Sequence, residues 1–258
     1  MGKTVSVINQ KGGVGKTTSA VNLAAAVGSK GYKTLLIDID PQGNATSGFG
    51  INKREVEVSS YDILVRAEKA KNAVIKTSFT NVSVIPSNID LAGAEIELIE
   101  MKGRESNLKN AISLIKDEYD FIFLDCPPSL GLITINALTA SDTIFIPIQC
   151  EYYALEGLSQ LVATVRQVKK LYNPLIEIEG ILLTMYDGRL NLTQQVVEEV
   201  KKFFPKKVYS TYIPRNVRIS EAPSFGQPVI YYDRKSKGSE AYLSLADEFI
   251  KQNKFLRN

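Results

Sequence analysis

Two lysines, three glycines and two threonines crowd into Lys11-Gly12-Gly13-Val14-Gly15-Lys16-Thr17-Thr18, directly after Asn9-Gln10. Glycines allow backbone N–H groups to turn inward around an anion. A helix start at the end of the stretch would add unpaired donors and the positive end of a dipole. Lys16 has the reach and charge for a terminal phosphate, and the Thr17 hydroxyl is a suitable Mg²⁺ ligand. The plainer alternative is a Gly-rich strand-to-helix turn that binds nothing. Such a turn has no need of lysines and threonines in this order. The pattern departs from the usual G-x-x-x-x-G-K-[ST], since Gln10 stands where its first glycine is expected and Lys11 adds a second lysine.

Carboxylates supply the rest of the candidate chemistry. Asp38 and Asp40 lie in Asp38-Ile39-Asp40-Pro41-Gln42-Gly43-Asn44, a polar turn-forming run. Asp125 closes the apolar run Phe121-Ile122-Phe123-Leu124, and Cys126-Pro127-Pro128-Ser129 follows it. An acid that ends a buried strand beside a phosphate loop suits Mg²⁺, held directly or through water; otherwise it caps a turn. Glu151 is either a ligand contact or an acid favoured by a helix N-terminus. The chain has no histidine and no tryptophan, so imidazole acid–base chemistry and His metal sites are excluded. Two cysteines, Cys126 and Cys150, make no disulfide framework and read as reduced residues at the core edge.

These groups need elements to hold them. Residues 5–8 read as a buried strand, 17–30 as an Ala-rich helix and 34–38 as a second strand. Strand, helix, strand at that spacing is a βαβ unit, so the sheet starts parallel, with the phosphate loop and the Asp38–Asn44 turn at one carboxyl edge. Further helices are expected at 60–73, 89–101, 108–115, 154–172, 191–204 and 236–252. Further strands are expected at 81–86, 121–125, 143–148 and 178–185, with an edge strand at 209–214. The expected class is α/β: a P-loop NTPase-like fold with a mostly parallel twisted sheet and helices on both faces. With 258 residues, 44% apolar and 23% charged, the chain suits one soluble domain over 1–258. A net charge of +3 is too small to mark a nucleic-acid binder by itself. No apolar run is long enough to span a membrane. A strand that starts by residue 4 leaves no room for a signal peptide, so a cytoplasmic protein is expected.

Taken together, the motifs resemble one family. Residues 11–18 resemble the deviant Walker A motif of the ParA/MinD ATPases. Residues 38–46 resemble the switch I segment of ParA proteins, and residues 121–129 resemble their Walker B and switch II. Residues 149–157 and 213–228 are also similar to this family, and to its chromosome-partitioning ParA (Soj) branch in particular. The similarity spans nearly the whole chain.

The resemblance implies an ATPase that uses ATP with Mg²⁺ and forms ADP and phosphate. Lys11, Gly12, Gly13, Val14, Gly15, Lys16, Thr17 and Thr18 would cradle the phosphates. Lys11 would reach the nucleotide of a second copy, so that ATP drives a sandwich homodimer. Thr17, Asp40 and Asp125 would surround Mg²⁺, with Asp38 supporting that shell. Asp40 would orient the attacking water, so Lys11, Lys16 and Asp40 form the catalytic set. Pro214 and Asn216 would hold the adenine, and Glu151 the ribose or the partner copy. Arg189 and Arg218, with Lys201, Lys202, Lys206 and Lys207 nearby in sequence, would contact double-stranded DNA without reading its sequence. A ParB-type partner would stimulate turnover on the nucleoid.

No helix-turn-helix precedes the first strand, so operator reading is not expected. The competing reading is a MinD-like membrane-shuttling ATPase, which requires a basic amphipathic C-terminal helix. Here residues 238–251 carry Glu240, Asp247 and Glu248, and Leu243, Ala246, Phe249 and Ile250 suit core packing. The tail 251–258 is basic with Phe255 and Leu256, which allows a weak surface contact but no stable membrane association. A small-molecule ligase of the dethiobiotin type would need a substrate pocket that no segment marks.

Overall fold

The computed structural model describes residues 2–151 and 154–254. Among them, seven strands form one sheet: β1 (Lys3–Val7), β2 (Thr34–Asp38), β3 (Ile75–Lys76), β4 (Val82–Ile85), β5 (Phe121–Asp125), β6 (Thr143–Gln149) and β7 (Glu177–Thr184). Their order is β3-β4-β2-β5-β1-β6-β7, and every pairing is parallel except β3 with β4. The expected mostly parallel α/β sheet is therefore present. Asp38 pairs with Asp125 across β2 and β5, and Val7 pairs with Asp125 across β1 and β5. Three central strands thus end level, and the segments that leave them emerge together.

Strand alternation sends side chains into two cores. On one face Val5, Val7, Phe121 and Phe123 pack against helices Lys16–Ser29 and Lys237–Gln252. Phe249 of the second helix meets Phe121 and Phe123 at ring-centroid distances of 5.0 and 5.5 Å. Burying such a ring stabilises by about 1.5–3 kcal/mol. On the other face Leu35, Ile37, Ile122 and Leu124 pack with residues of helices Ala94–Ile99, Asn107–Ser113, Leu132–Ala140 and Ala154–Leu171. Gly28 lets the first helix approach the sheet: a Cβ there would lie 2.6 Å from the Thr80 carbonyl oxygen.

Several boundaries differ from expectation, each for a local reason. The helix expected over 60–73 stops at Val65. Ala67 takes φ 54°, and the Glu68 N–H returns to the Asp62 carbonyl, which closes the helix without a glycine. The helix expected over 89–101 is a 3₁₀ turn, Ile89–Gly93, followed by helix Ala94–Ile99. Helix Leu132–Ala140 lies where no helix was expected. The edge strand expected at 209–214 is not a strand. That segment touches β7 and its extension through isolated bridges, Ile181 with Val208 and Tyr186 with Pro214. The final helix matches expectation; of the tail, residues 255–258 lie outside the described residues.

Candidate active site

The loop between β1 and helix Lys16–Ser29 is held from below by Asn9. Its amide donates to the Pro147 carbonyl at 2.8 Å, and its side-chain oxygen accepts from the Lys11 N–H at 3.0 Å. Gly13 and Gly15 adopt φ 75° and 85°, a left-handed backbone that a side chain would strain. The Thr184 hydroxyl donates to the Val14 carbonyl at 2.8 Å and ties the loop to the end of β7. Helix Lys16–Ser29 has no side-chain cap and no acid in its first turn. Its leading N–H groups and positive dipole end are therefore not capped by a side chain of the helix itself, an arrangement that suits a phosphate.

Lys16 is 7% exposed, and its ammonium donates to the Lys11 carbonyl at 2.9 Å. Burial lowers its pKa, while Asp125 leads the neighbours that pull it back up. Asp125 is fully buried, and neither carboxylate oxygen has a hydrogen-bond partner. Burial first, and then the Asp38 charge, push its pKa well up; the nearby Thr17 hydroxyl opposes this without completing a hydrogen bond of normal geometry. A buried carboxylate left bare costs free energy unless something positive completes it. Beside Thr17 and a phosphate-binding turn, that is a fit for Mg²⁺. Among the described residues no cluster of His, Cys, Asp and Glu could hold a metal alone. Mg²⁺ is commonly held by one or two carboxylates plus substrate phosphates.

Asp38 is also buried, and burial raises its pKa to about 6. Unlike Asp125 it is satisfied: it accepts from the Asp40 N–H at 3.2 Å, the Thr46 N–H at 2.8 Å and the Thr46 hydroxyl at 2.7 Å. Asp38 thus fastens the turn that carries Asp40. The Thr46 hydroxyl in turn accepts from the Ser87 N–H at 2.9 Å. Thr46→Val should cost about 2–4 kcal/mol by leaving buried polar groups unpaired. Thermal denaturation should show a midpoint about 5–10 °C lower; an unchanged midpoint would mean that the turn is held otherwise.

Asp40 accepts from the Gln42 N–H at 2.9 Å and lines a cleft of about 510 Å³ with Gly12, Gly13, Lys16, Thr17 and Thr18. A second cleft of about 530 Å³ shares Gly15, Thr18 and Met185 with the first and extends to Pro214, Arg215 and Asn216. Through these shared residues the two clefts adjoin at the start of the helix. Asn216 also caps helix Val217–Glu221, its side chain accepting from the Ile219 N–H at 3.3 Å. Lys11 does not project into the groove of its own chain; its ammonium pairs with Glu151 at 2.8 Å. That hydrogen bond leads the effects that hold the Glu151 carboxyl below its usual range.

The two arginines singled out for DNA stand outside the groove. Arg189 is exposed in the loop after β7 and pairs with Asp187 at 2.6 Å, holding that carboxyl down to about 2. Arg218 lies on helix Val217–Glu221, paired with Glu221 at 2.8 Å and Asp233 at 3.3 Å. Exposed pairs of this kind contribute about 0–1 kcal/mol, so a phosphate can displace them. Asn9, Thr184, Met185 and Arg215 were not singled out from the sequence. Arg215 lines the second cleft and its charge lowers the pKa of both Glu151 and Asp187. None of the four belongs to a spaced motif; the only hint was position at the end of a strand or beside Pro214.

A family model described as an AAA domain matches residues 2–178. The chain is 60% identical over 248 residues to the sporulation initiation inhibitor protein Soj of Bacillus subtilis, covering 96% of this chain and 98% of that protein. It is 51% identical over 253 residues to the chromosome partitioning protein ParA of Myxococcus xanthus, covering 98% and 89% respectively. Among solved structures, cobyrinic acid a,c-diamide synthase from Mycobacterium smegmatis with bound ADP and magnesium superposes with a TM-score of 0.86 at 35% identity, covering 98% of this chain and 96% of that one. The septum site-determining protein MinD from Pyrococcus horikoshii, complexed with Mg-ADP, superposes with a TM-score of 0.80 at 27% identity and full coverage of both chains, 100% each.

Proposed function

The chain belongs to the ParA/MinD family of ATPases, among the chromosome-partitioning ParA and Soj proteins, and on that premise we propose that it is a Mg-ATP-driven switch that pairs two copies, grips DNA without sequence preference and lets go on hydrolysis. The observation that carries this reading is the bare, buried Asp125 carboxylate beside Lys16 and Thr17 at an uncapped helix start.

Backbone N–H groups of Gly12, Gly13, Val14 and Gly15 surround the phosphates, and Lys16 neutralises their charge. Thr18 reaches the α-phosphate from the first helical turn. The Thr17 hydroxyl and Asp125 would hold Mg²⁺, with Asp40 near that shell, and the ion would offset charge on the phosphate oxygens. Asp40 orients the attacking water, the main task left to the protein in phosphoryl transfer. The groove past Thr18 takes the nucleoside between Pro214 and Asn216. Lys11 exchanges Glu151 for the nucleotide of the second copy, so pairing reports the presence of ATP. Glu151, once released, is free for the ribose or the second copy.

A pair of copies doubles the exposed Arg189 and Arg218, and the nearby lysines add charge. The DNA-bound pair resides on the nucleoid, and a ParB-type protein raises turnover and so ends DNA binding. The MinD-like alternative has less support: Tyr242, Leu245, Ala246 and Phe249 of helix Lys237–Gln252 are buried in the core. Among the described residues no helix is long and apolar enough to cross a membrane.

Co-sedimentation with ATP tests the two readings side by side. Retention on DNA and not on anionic liposomes is expected; the reverse would overturn the proposal. In the same assay Arg189→Glu should weaken DNA retention about tenfold and lower the salt slope by about 1 per lost contact. Its ATP-dependent pairing should be unchanged. Full DNA retention by this variant would move the contact surface elsewhere.

A further inference from the structure

The turn that carries Asp40 is fastened from the inside by Asp38 and Thr46. It is also held from the outside, by a lysine that no motif marks. The chain leaves helix Asn44–Gly48, bends at Gly50 with φ 75°, and returns through Ile51, whose N–H donates to the Thr46 carbonyl at 3.2 Å. It then forms the 3₁₀ turn Lys53–Glu55. Asn52 caps that turn: its side-chain oxygen accepts from the Arg54 N–H at 3.2 Å, and its amide donates to Glu55 at 2.7 Å. The backbone of Lys53 is thereby fixed beside the Asp40 turn.

The Lys53 ammonium donates to the Gln42 carbonyl at 2.7 Å. An exposed hydrogen bond from a lysine ordinarily contributes little, because the free stem samples many rotamers. This stem is not free. Gly43 takes φ 60°, and a Cβ there would fall 2.5 Å from Lys53 Cδ and 3.0 Å from the Ser87 carbonyl oxygen. The half-buried stem therefore lies on the bare Gly43 backbone and delivers its ammonium to one oxygen. Among the described residues no carboxylate forms a salt bridge with Lys53. Its charge is directed at a loop carbonyl, as that of Lys16 is at the Lys11 carbonyl.

Gln42 is thus gripped on both sides. Its N–H donates to the Asp40 carboxylate at 2.9 Å, and its carbonyl accepts from Lys53. Gln42 and Asp40 both line the phosphate cleft. With the carbonyl pinned, the Gln42 backbone loses its freedom to rotate, and the N–H that aims the Asp40 carboxylate is held with it. Gly43, next in the chain, would otherwise let the turn swing.

We propose that Lys53 is a positioning residue for hydrolysis: by holding the Gln42 carbonyl across Gly43 it keeps the Asp40 carboxylate aimed at the attacking water. This rests on the water-orienting role given to Asp40 above. A displacement of about 1 Å in a group that positions a reactant can cost about 100-fold in rate. A looser turn therefore slows the chemical step while Lys16 and the phosphate loop still bind the nucleotide.

The test is single-turnover hydrolysis of Mg-ATP by the full chain. Lys53→Met should slow the chemical step about tenfold or more while the Kd for ATP stays within about twofold. Its melting midpoint should stay within about 2 °C of the unaltered chain, as expected for an exposed hydrogen bond. Lys53→Arg, which keeps a donor, should recover most of the rate. In the Asp40→Ala background Lys53→Met should slow hydrolysis no further, since a residue that acts through Asp40 then has nothing left to position. Unchanged hydrolysis by Lys53→Met, an equal loss of ATP affinity, no recovery with Lys53→Arg, or a further loss on top of Asp40→Ala would each overturn the assignment. Full hydrolysis by Asp40→Ala alone would instead sink the water-orienting reading, and the role of Lys53 with it.

Discussion

Lys16→Ala should abolish useful ATP binding. The ammonium is buried, and the charges of Asp125 and Asp40 lie close enough to act on it. Its removal subtracts charge-assisted hydrogen bonds to phosphate, worth about 1.5–3 kcal/mol each. Two such contacts correspond to a loss of roughly 100-fold or more in Kd. A second effect adds to the first: the incoming phosphates would meet buried carboxylates with nothing between. Titration calorimetry with ATP and Mg²⁺ is the direct measurement. Retained micromolar affinity would refute the assignment of the loop. Because Lys16 also donates to the Lys11 carbonyl, a thermal melt of the variant separates a lost ligand contact from a collapsed loop.

Asp40→Ala should do the opposite to the nucleotide: it should hold it. Asp40 lines the cleft beside Lys16 and Thr17, and among the described residues its carboxylate accepts from the Gln42 N–H. The turn itself is fastened by Asp38 and Thr46, so it should survive the loss of one carboxylate. Without that group to position water, turnover should fall about 100-fold or more. ATP then persists, and sizing should find paired copies with ATP and single copies with ADP. A single copy with ATP would contradict the water-orienting role.

The Gly-rich turn after β1, together with β1, β2 and β5, was legible because the signals are local: an apolar run, then glycines, lysines or an acid at its end. The missed elements lacked such signals. Helix Leu132–Ala140 begins at Gly131 with no capping side chain and is buried over most of its surface. Its sequence, Leu-Ile-Thr-Ile-Asn-Ala-Leu-Thr-Ala, is apolar or β-branched nearly throughout, so no helical period shows. Ala67 at positive φ ends a helix without the glycine that would announce it. The pairing of Lys11 with Glu151 joins residues far apart in sequence, and only the fold brings them together. The distinct states of Asp38 and Asp125 were hidden for the same reason. Two acids at matching strand ends differ because Thr46 closes hydrogen bonds to one, whereas among the described residues none of normal geometry is closed to the other.

The margins of the sheet have a consequence of their own. On one side the last strand is the two-residue β3, which runs against its neighbour and carries Lys76. On the other, residues 207–214 lie along β7 and its extension and take its amides and carbonyls at Ile181, Leu183 and Tyr186. Neither rim offers the long bare ladder on which a foreign strand could grow. The proposed cycle of pairing and release would gain from this, because β-addition between copies is tight, indifferent to nucleotide and hard to undo. With both flanks blunted in this way, a crowded population of the protein has little edge on which one copy could template a strand of the next.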